Sequence, residues 1–431
     1  MTAGNLNLRS KDAISSEVRS GQSLQWQQVD TFVGSFYSPK TAEERSCPVC
    51  GSPRYRTFQI LRDLQYYCDS ADVPKRFHLA EAQCLDCFCL YQNPSYSAYG
   101  FQVVLAEAGC SYGASAGRDD ETIAWLHRKN LLHDGTCLLD AGCYDGRFMG
   151  KLPPNLYKIG VDIDVPALEK ARQQFSGPNT EFILGEFETF QCQKQPDVVL
   201  MLHVLEHLGR PASALRNLRK VSHAKTQLVL EVPVMELGFT NDINGSFPPL
   251  HITHFTRASL HNCMNVGGWQ IQEADELTEY NGYRVIATPL PEGAAPMVEK
   301  DGKAYELLAE HLERWYQAQR DVEKRLNQFD STTKFALWGS GFHTEMLYQL
   351  TSLFRFPDRR FVLVDMDPLK QNKSWRGIKI HTPSVLEGLN FDDACFIPSS
   401  YQHQEAIKTS AVAMGVPKER IVSLYDTVRI R

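Results

Sequence analysis

Residues Leu138-Leu139-Asp140-Ala141-Gly142-Cys143-Tyr144-Asp145-Gly146 constrain the fold of this chain more than any other stretch. An apolar strand ends in an acid, and a glycine-rich turn then feeds a helix. That sequence of events opens a nucleotide-type α/β unit, because glycine lets the backbone approach a ligand while a helix N-terminus faces it. The spacing Gly142-x-x-x-Gly146 differs from the dinucleotide pattern G-x-G-x-x-G. Asp140 and Asp145 also set negative charge where a pyrophosphate would be repelled. A cationic ligand without phosphates suits the turn better.

Downstream, the pattern alternates. A helix from Gly146 is followed by strand Lys158–Asp162, helix Val165–Phe175, strand Glu181–Leu184 and strand Asp197–Leu202. Helix Ala212–Val221, strand Gln227–Val232, a long loop to Phe255, helix Ser259–Val266 and strands near Trp269 and Val285 complete the run. Such alternation predicts a mostly parallel sheet covered on both faces. Successive strand ends carry further acids in order. Asp162, about 20 residues past the turn, is placed to accept ribose hydroxyls. Glu186, in Leu184-Gly185-Glu186-Phe187, can accept from an adenine amino group while Phe187 stacks. The fourth strand leads into His203-Val204-Leu205-Glu206-His207, where His203 is expected to line the site and His207 to pack a helix. S-adenosylmethionine (SAM), with its sulfonium, ammonium and adenosine, matches this series.

Four of the twelve cysteines form two pairs, Cys47-Pro48-Val49-Cys50-Gly51 and Cys84-Leu85-Asp86-Cys87. Each pair is a knuckle that can grip one face of a tetrahedral Zn²⁺, and four thiolates leave no open position for water. The expectation is a structural zinc, with Cys89 as an extra thiol badly spaced to replace any of the four. Lysines and arginines do not cluster around these cysteines, and the net charge of −6 gives no electrostatic footprint for nucleic acid or an anionic membrane. The longest apolar run, roughly Val198–Leu205, is too short to span a bilayer, and the N-terminus lacks the apolar core of a secretory signal. A cytoplasmic protein is expected.

At 431 residues the chain should divide into two or three domains. Residues 1–45 are polar and read as a tail with one short helix around Ser23–Phe32. Residues 46–118 form the zinc-binding module, ending in a glycine/serine loop, Gly109–Gly117, whose Tyr112 reads as an ordinary loop residue. A helix from Asp119 opens the core, residues 119–295. Within 296–330, apolar Leu308, Leu312, Trp315, Val322, Leu326 and Phe329 recur at helical spacing and predict a connector helix. Residues 331–431 begin a second α/β unit: strand Lys334–Trp338, turn Gly339-Ser340-Gly341, helix Phe342–Phe354 and strand Phe361–Val364 ending at Asp365. Gly339-x-Gly341 with Asp365 echoes a dinucleotide fingerprint, yet Thr344 stands at the third glycine position. A substrate-binding or scaffold role therefore fits this unit better than NAD binding.

The D-x-G-x-x-x-G turn, the strand-end acid, the Gly-Glu-Phe turn and HVLEHL resemble class I SAM-dependent methyltransferases. The paired cysteines before that core, and Asp365-x-Asp-Pro-Leu-Lys-Gln-Asn with Arg376-Gly-Ile-Lys-Ile-His-Thr-Pro after it, resemble the three-domain sugar C-methyltransferase family over residues 46–431. The resemblance implies a Rossmann-like methyltransferase core between a small zinc module and a second Rossmann-like domain. It also implies a nucleotide-linked sugar or similar biosynthetic intermediate as acceptor. In that family the catalytic loop resembles Tyr-His-Glu-His, whereas here it reads Leu250-His251-Ile252-Thr253-His254-Phe255. His254 is retained, His251 stands at the Tyr position, and Thr253 replaces the Glu. C-methylation needs a base to form an enolate, so the missing carboxylate leaves O- or N-methylation equally open. His254 is the expected general base and His251 its orienter or alternative, since imidazole titrates near working pH. Two other classes remain open: a SAM- or nucleotide-sugar-binding scaffold without turnover, and an RNA methyltransferase with a zinc module.

Overall fold

In the computed structural model, which describes residues 26–29, 41–65, 76–105, 116–238, 240–243, 247–277 and 282–428, the first sheets are antiparallel. Strand β1 (Ala42–Glu43) will pair with a later short strand. Strands β2 (Tyr55–Gln65) and β3 (Arg76–Cys84) pair antiparallel, β3 pairs with β4 (Leu90–Gln92), and β5 (Ser95–Tyr96) returns to β1. The sequence reading assigned no strands here because only the cysteine knuckles stood out. Strand β3 carries no clean alternation either, since Leu79, Ala80, Glu81, Ala82, Gln83 and Cys84 are all buried.

The central sheet follows. Strands β6 (Cys137–Ala141), β7 (Tyr157–Asp162), β8 (Thr180–Leu184), β9 (Val198–Leu202) and β10 (Gln227–Pro233) are parallel. A two-residue strand β11 (Thr253–His254) leaves this unit to pair with β4. Strands β12 (Trp269–Glu276) and β13 (Gly282–Pro289) form a hairpin that adds antiparallel to β10. The order β12-β13-β10-β9-β6-β7-β8 reverses at β6, so the crevice for a ligand opens outside the carboxyl ends of β6 and β9. Burial explains the parallel strands: Leu138, Leu139, Val199, Leu200, Met201, Val229 and Leu230 are all fully buried, leaving no polar face to alternate. This is an α/β fold built on mixed sheets.

The helix Ala304–Leu326 buries Leu308, Trp315, Val322 and Leu326. Its apolar stripe is as the periodicity predicts, although the helix ends before Phe329, which packs beside the same core. Beyond it, β14 (Lys334–Trp338), β15 (Arg360–Val364), β16 (Ser374–Trp375), β17 (Ile378–His381) and β18 (Ala394–Pro398) form a second sheet of order β16-β17-β15-β14-β18. All its pairs are parallel except β16–β17. The helix after β14 stops at Leu350 rather than Phe354, because Ser352–Phe354 turn back to fill the core beside Phe361 and Trp375.

Two expectations about loops change. Residues 26–29 are extended rather than helical, with Gln27 exchanging both backbone hydrogen bonds with Phe361. Residues 41–45, also expected in the tail, instead hold β1 and Arg45, which bonds Gln92 O and Gly209 O. The other tail residues and the rest of the expected helix, and Tyr112 with most of its loop, lie outside the described residues. The first core helix starts at Ala116, so Gly117 belongs to it, and it ends at Arg128.

The long loop before Phe255 is not free. β11 joins it to the antiparallel sheet, and Gln92 N–H donates to Ile252 O at 2.9 Å. One buried core runs from Cys47, Cys84, Cys87 and Tyr91 through Leu205, Val234 and Phe255 to the central strands.

Candidate functional site

A cavity of about 490 Å³ opens where the central strands end, within the usual range for a small-molecule site. Four of the five parallel strands deliver an acid or imidazole to it: Asp140 from β6, Asp162 from β7, His203 just past β9, and Glu231 from β10. The turn after β6 is tight. Gly142 has φ of +101°, and a Cβ there would lie 2.3 Å from Val204 Cγ2, so only glycine fits. Asp162 braces this turn by accepting Tyr144 N–H at 2.9 Å, while its other oxygen accepts Asp164 N–H at 2.9 Å. Phe187 closes the cavity below.

Seven carboxylates line the cavity (Asp119, Asp140, Asp145, Asp162, Asp164, Glu206 and Glu231) against the arginines Arg118 and Arg147. Arg147 is spent on Asp145 at 2.9 Å. Crowding of acids has a cost that falls on the deepest one. Burial, then the charges of Asp162 and Asp119, push Asp140 up to about 7. Burial pushes Asp162 up as well. Such a set favours a cation, so the donor chemistry fits SAM.

The other end of the cavity is a network of imidazoles and carboxylates. Glu231, 1% exposed, accepts from Arg284 at 2.6 Å on one oxygen and meets His203 Nε2 at 2.7 Å on the other. Arg284 is in turn fixed on Thr122 Oγ1 at 3.0 Å. His203 Nδ1 lies 3.4 Å from Glu206 Oε1. Burial opposes the His203 charge, but Glu206 and Glu231 outweigh it and hold the ring up at about 9. His203 also sits at φ +55°, a left-handed conformation that concentrates at functional sites when the surroundings fix it. Burial works against ionisation of Glu206, yet His203, His207 and His251 together hold it down at about 2. His251 goes the other way: burial, helped by the neighbouring His207, pushes it down to about 3.

Of the residues expected from sequence, Asp140, Gly142, Asp145, Asp162, Phe187, His203 and His251 line this cavity. Three do not. A Cβ on Gly146 would lie 3.0–3.2 Å from Ala171, Phe175 and Phe182, so the glycine lets the short helix Arg147–Lys151 pack on helix Val165–Phe175. Glu186 is exposed, and its carbonyl caps the next turn through Thr189 and Phe190 N–H. His254 points into the antiparallel sheet, where Nε2 pairs with buried Glu81 at 2.8 Å and the ring meets Phe247 edge-on. The reason is geometric: residues three apart on an extended chain face opposite sides, so His251 and His254 cannot share a site. Conversely, His207 lines the cavity instead of packing a helix, and Glu206, Glu231 and Tyr144 join it. The signal for Glu206 and His207 was present in the spacing H-x-x-E-H after a strand end. Glu231 carried none, because a single acid inside an apolar strand has no local pattern.

The four paired cysteines converge, all their sulfurs lying within 4.8 Å of one another. Cys47 Sγ is 3.5 Å from Cys87 Sγ, and Cys50 Sγ is 3.6 Å from Cys84 Sγ. A tetrahedron with Zn–S bonds of ~2.3 Å has edges of about 3.8 Å, so the donor set fits that ion. The backbone supports it, since Asp86 and Cys87 N–H both point at Cys84 Sγ. Cys89 is outside the set and donates toward Leu90 O.

The glycine turn of the second sheet is closed on itself. Asp365 Oδ2 accepts from Ser340 N–H and Oγ at 2.9 Å and pairs with Lys370 at 3.2 Å. A Cβ on Gly339 would lie 2.4 Å from Ser399 O, and the Thr344 hydroxyl fills the space beside it, bonded to Gly339 O and Ser399 Oγ. The acid that would hold a ribose is already engaged.

Residues 117–274 match the profile of a methyltransferase-domain family. No curated protein matches the chain. Solved structures similar to it include the magnesium protoporphyrin IX methyltransferase ChlM from Synechocystis PCC 6803 with bound S-adenosylhomocysteine. That structure shares 21% identity over 44% of this chain and 95% of its own, with a TM-score of 0.34. The N-methyltransferase NodS from Bradyrhizobium japonicum WM9 shares 14% identity over 41% and 99%, with a TM-score of 0.33. A SAM-dependent methyltransferase from Mesorhizobium loti shares 14% over 39% and 99%, with a TM-score of 0.34. With its family match lying over the strands and turns that build the acid-lined cavity, this chain is an enzyme, a SAM-dependent methyltransferase.

Proposed function

We propose that the enzyme methylates a small polar molecule bound at the imidazole end of the cavity, with a nucleotide-linked sugar or related biosynthetic intermediate as acceptor class. The observation that carries this reading is the division of one cavity into two chemistries. Asp140, Gly142, Asp162 and Phe187 make a cofactor end, and His203, Glu206, His207 and His251 make a polar acceptor end beside it. SAM supplies a methyl group on a positively charged sulfur. The protein's share is to align the acceptor with that methyl and to leave its nucleophile deprotonated. His203, held as a cation between Glu206 and Glu231, orients the acceptor end rather than taking a proton. His251 is the group of the expected pair that faces the acceptor, while His254 holds the loop through Glu81.

We assign Cys47, Cys50, Cys84 and Cys87 to one structural Zn²⁺, in a module that shares its core with the catalytic unit. The second Rossmann-like unit is read as scaffold for that module. Its buried Arg376 pairs with Glu345 at 2.7 Å and reaches across to Asp63 O on β2 at 2.7 Å. No helix among the described residues is long and apolar enough to cross a membrane.

The test is release of S-adenosylhomocysteine (SAH) from SAM with a panel of nucleotide-linked deoxysugars, sugar-free nucleotides and transfer RNA. Acceptor-dependent release with a sugar supports the assignment. Release with RNA alone, or with none of the sugars but with another metabolite class, overturns the acceptor.

A further inference from the structure

Glu206, His207 and His251 bring a carboxylate oxygen and two ring nitrogens within 4.8 Å of one another at the acceptor end. Their hydrogen bonding sets the problem. Both Glu206 oxygens are buried and have no hydrogen-bond partner among the described residues. His207 Nδ1 lies 2.8 Å from Leu250 O, and a carbonyl only accepts, so Nδ1 carries the hydrogen. That leaves Nε2 on the side of Glu206, 3.9 Å from Oε1. The His251 ring meets the His207 ring edge-on at 4.8 Å and faces the same corner. His203 gives its Nε2 to Glu231, and its Nδ1 stands 3.4 Å from Glu206 Oε1 as an ion-pair neighbour rather than an aligned hydrogen bond. A buried carboxylate left without an aligned hydrogen bond, beside two ring nitrogens within 4.8 Å, is an arrangement that a cation completes.

We propose that Glu206, His207 and His251 bind a divalent first-row transition cation whose open positions face the acceptor. The surroundings match those of known ligand sets. Ligating imidazoles donate their other N–H to a backbone carbonyl, as His207 does to Leu250, and this fixes which nitrogen is free. One carboxylate with two imidazoles is a set that leaves coordination positions for substrate. Bonds of ~2.1 Å would draw the three atoms to about 3.4 Å apart, a side-chain rotation rather than a backbone change. An acceptor oxygen completing the coordination would be polarised at the cavity end where the nucleophile is needed. The inference deepens the methyltransferase reading and rests on it for the acceptor's place, though not for the metal site itself.

Calorimetric titration of the full-length protein with Mn²⁺, and with Zn²⁺ after the thiolate site is saturated, tests it. Mn²⁺ prefers oxygen and nitrogen ligands and leaves thiolates alone. The expected result is one Mn²⁺ per chain, with affinity at least tenfold weaker in each of Glu206→Gln, His207→Gln and His251→Gln at unchanged circular dichroism. Near-neutral His251→Gln, least disruptive to packing, keeps the test open if Glu206→Gln misfolds. Failure of both cations to bind more tightly than about 1 mM to folded wild-type protein overturns the site, as does wild-type affinity in folded His251→Gln. SAH titrated into the same preparation separates the two ideas. SAH binding without metal binding sinks the cation alone, whereas metal binding without SAH binding sinks the cofactor end of the cavity.

Discussion

Asp140 makes cofactor affinity depend on pH in a calculable way. Its carboxyl is 5% exposed, and burial with Asp162 and Asp119 raises it from 3.8 to about 7. A raised carboxylate destabilises the folded state once pH exceeds its ordinary value, because the unfolded chain ionises freely while the folded one resists. Between about pH 4 and pH 7 the ligand-free enzyme therefore loses stability through this group. A rise of about three pH units sets an upper limit of about 4 kcal/mol on that loss. A cation bound beside Asp140 reverses the preference, so cofactor binding requires the ionised form. The ionised fraction is about 0.9 at pH 8 and about 0.1 at pH 6, so affinity should fall roughly tenfold, or about 1.4 kcal/mol, over that interval. Calorimetric titration of SAM at pH 6, 7 and 8 reads this directly, and Asp140→Asn reports any titration belonging to the ligand or other groups. The Asp140→Asn variant should bind SAM weakly with little slope, while its ligand-free form melts at a higher temperature at pH 8. A flat wild-type profile, or an equal slope in Asp140→Asn, would refute the placement of the cofactor's positive charge.

Gly142→Ala should weaken SAH binding more than tenfold, since a Cβ must displace Val204 at an unfavourable φ; equal Kd values would show that the turn is not a cofactor contact. Glu81→Gln removes one partner of a buried pair and should cost about 3–5 kcal/mol in urea denaturation, leaving SAH affinity unchanged. If Glu81→Gln instead abolished turnover at full stability, His254 would regain its place in the chemistry. Cys47→Ser should lower zinc content, measured by inductively coupled plasma mass spectrometry, from about one per chain and depress the melting temperature. Unchanged zinc would remove the four-thiolate assignment.

The central unit was legible because its signals are local. Strand ends, the glycine turn and the acids that follow each strand lie within short windows, and helix Val165–Phe175 falls where its periodicity puts it. The cavity's cofactor end inherits that legibility through Asp140, Gly142 and Asp162. The acceptor end does not, because it is assembled from side chains whose partners are distant in sequence. Glu231 meets Arg284 and Thr122 through pairing of β10 with β13 and the packing of the first core helix, none of which a window of residues reports. The hairpin of β2 and β3 was missed for a related reason: two register irregularities break its period, and the cysteines at its ends drew the reading toward a loop. The exchange of roles between His207 and His254 belongs to the same class. Spacing alone shows that both are near strand ends, while their direction depends on which sheet claims the loop.

That claim ties the cysteine module to catalysis. Arg45, two residues before Cys47, donates from Nε to Gln92 O at 3.1 Å, from one terminal nitrogen to Gly209 O at 3.0 Å, and from the other to Ile252 O. One guanidinium therefore joins β4, the turn after Glu206-His207, and the residue next to His251. Its five donors in a rigid fork suit it to span three carbonyls where a lysine could not. Beside it, β11 pairs with β4, and His254 turns into that sheet on Glu81 while His251 stays in the cavity. The spacing between the cofactor end, set by the central strands, and the acceptor end is thus fixed from the antiparallel sheet. Methyl transfer loses rate steeply with misplacement on the scale of 1 Å. A module that supplies none of the seven carboxylates in the cavity can therefore still control turnover, through the position of one loop.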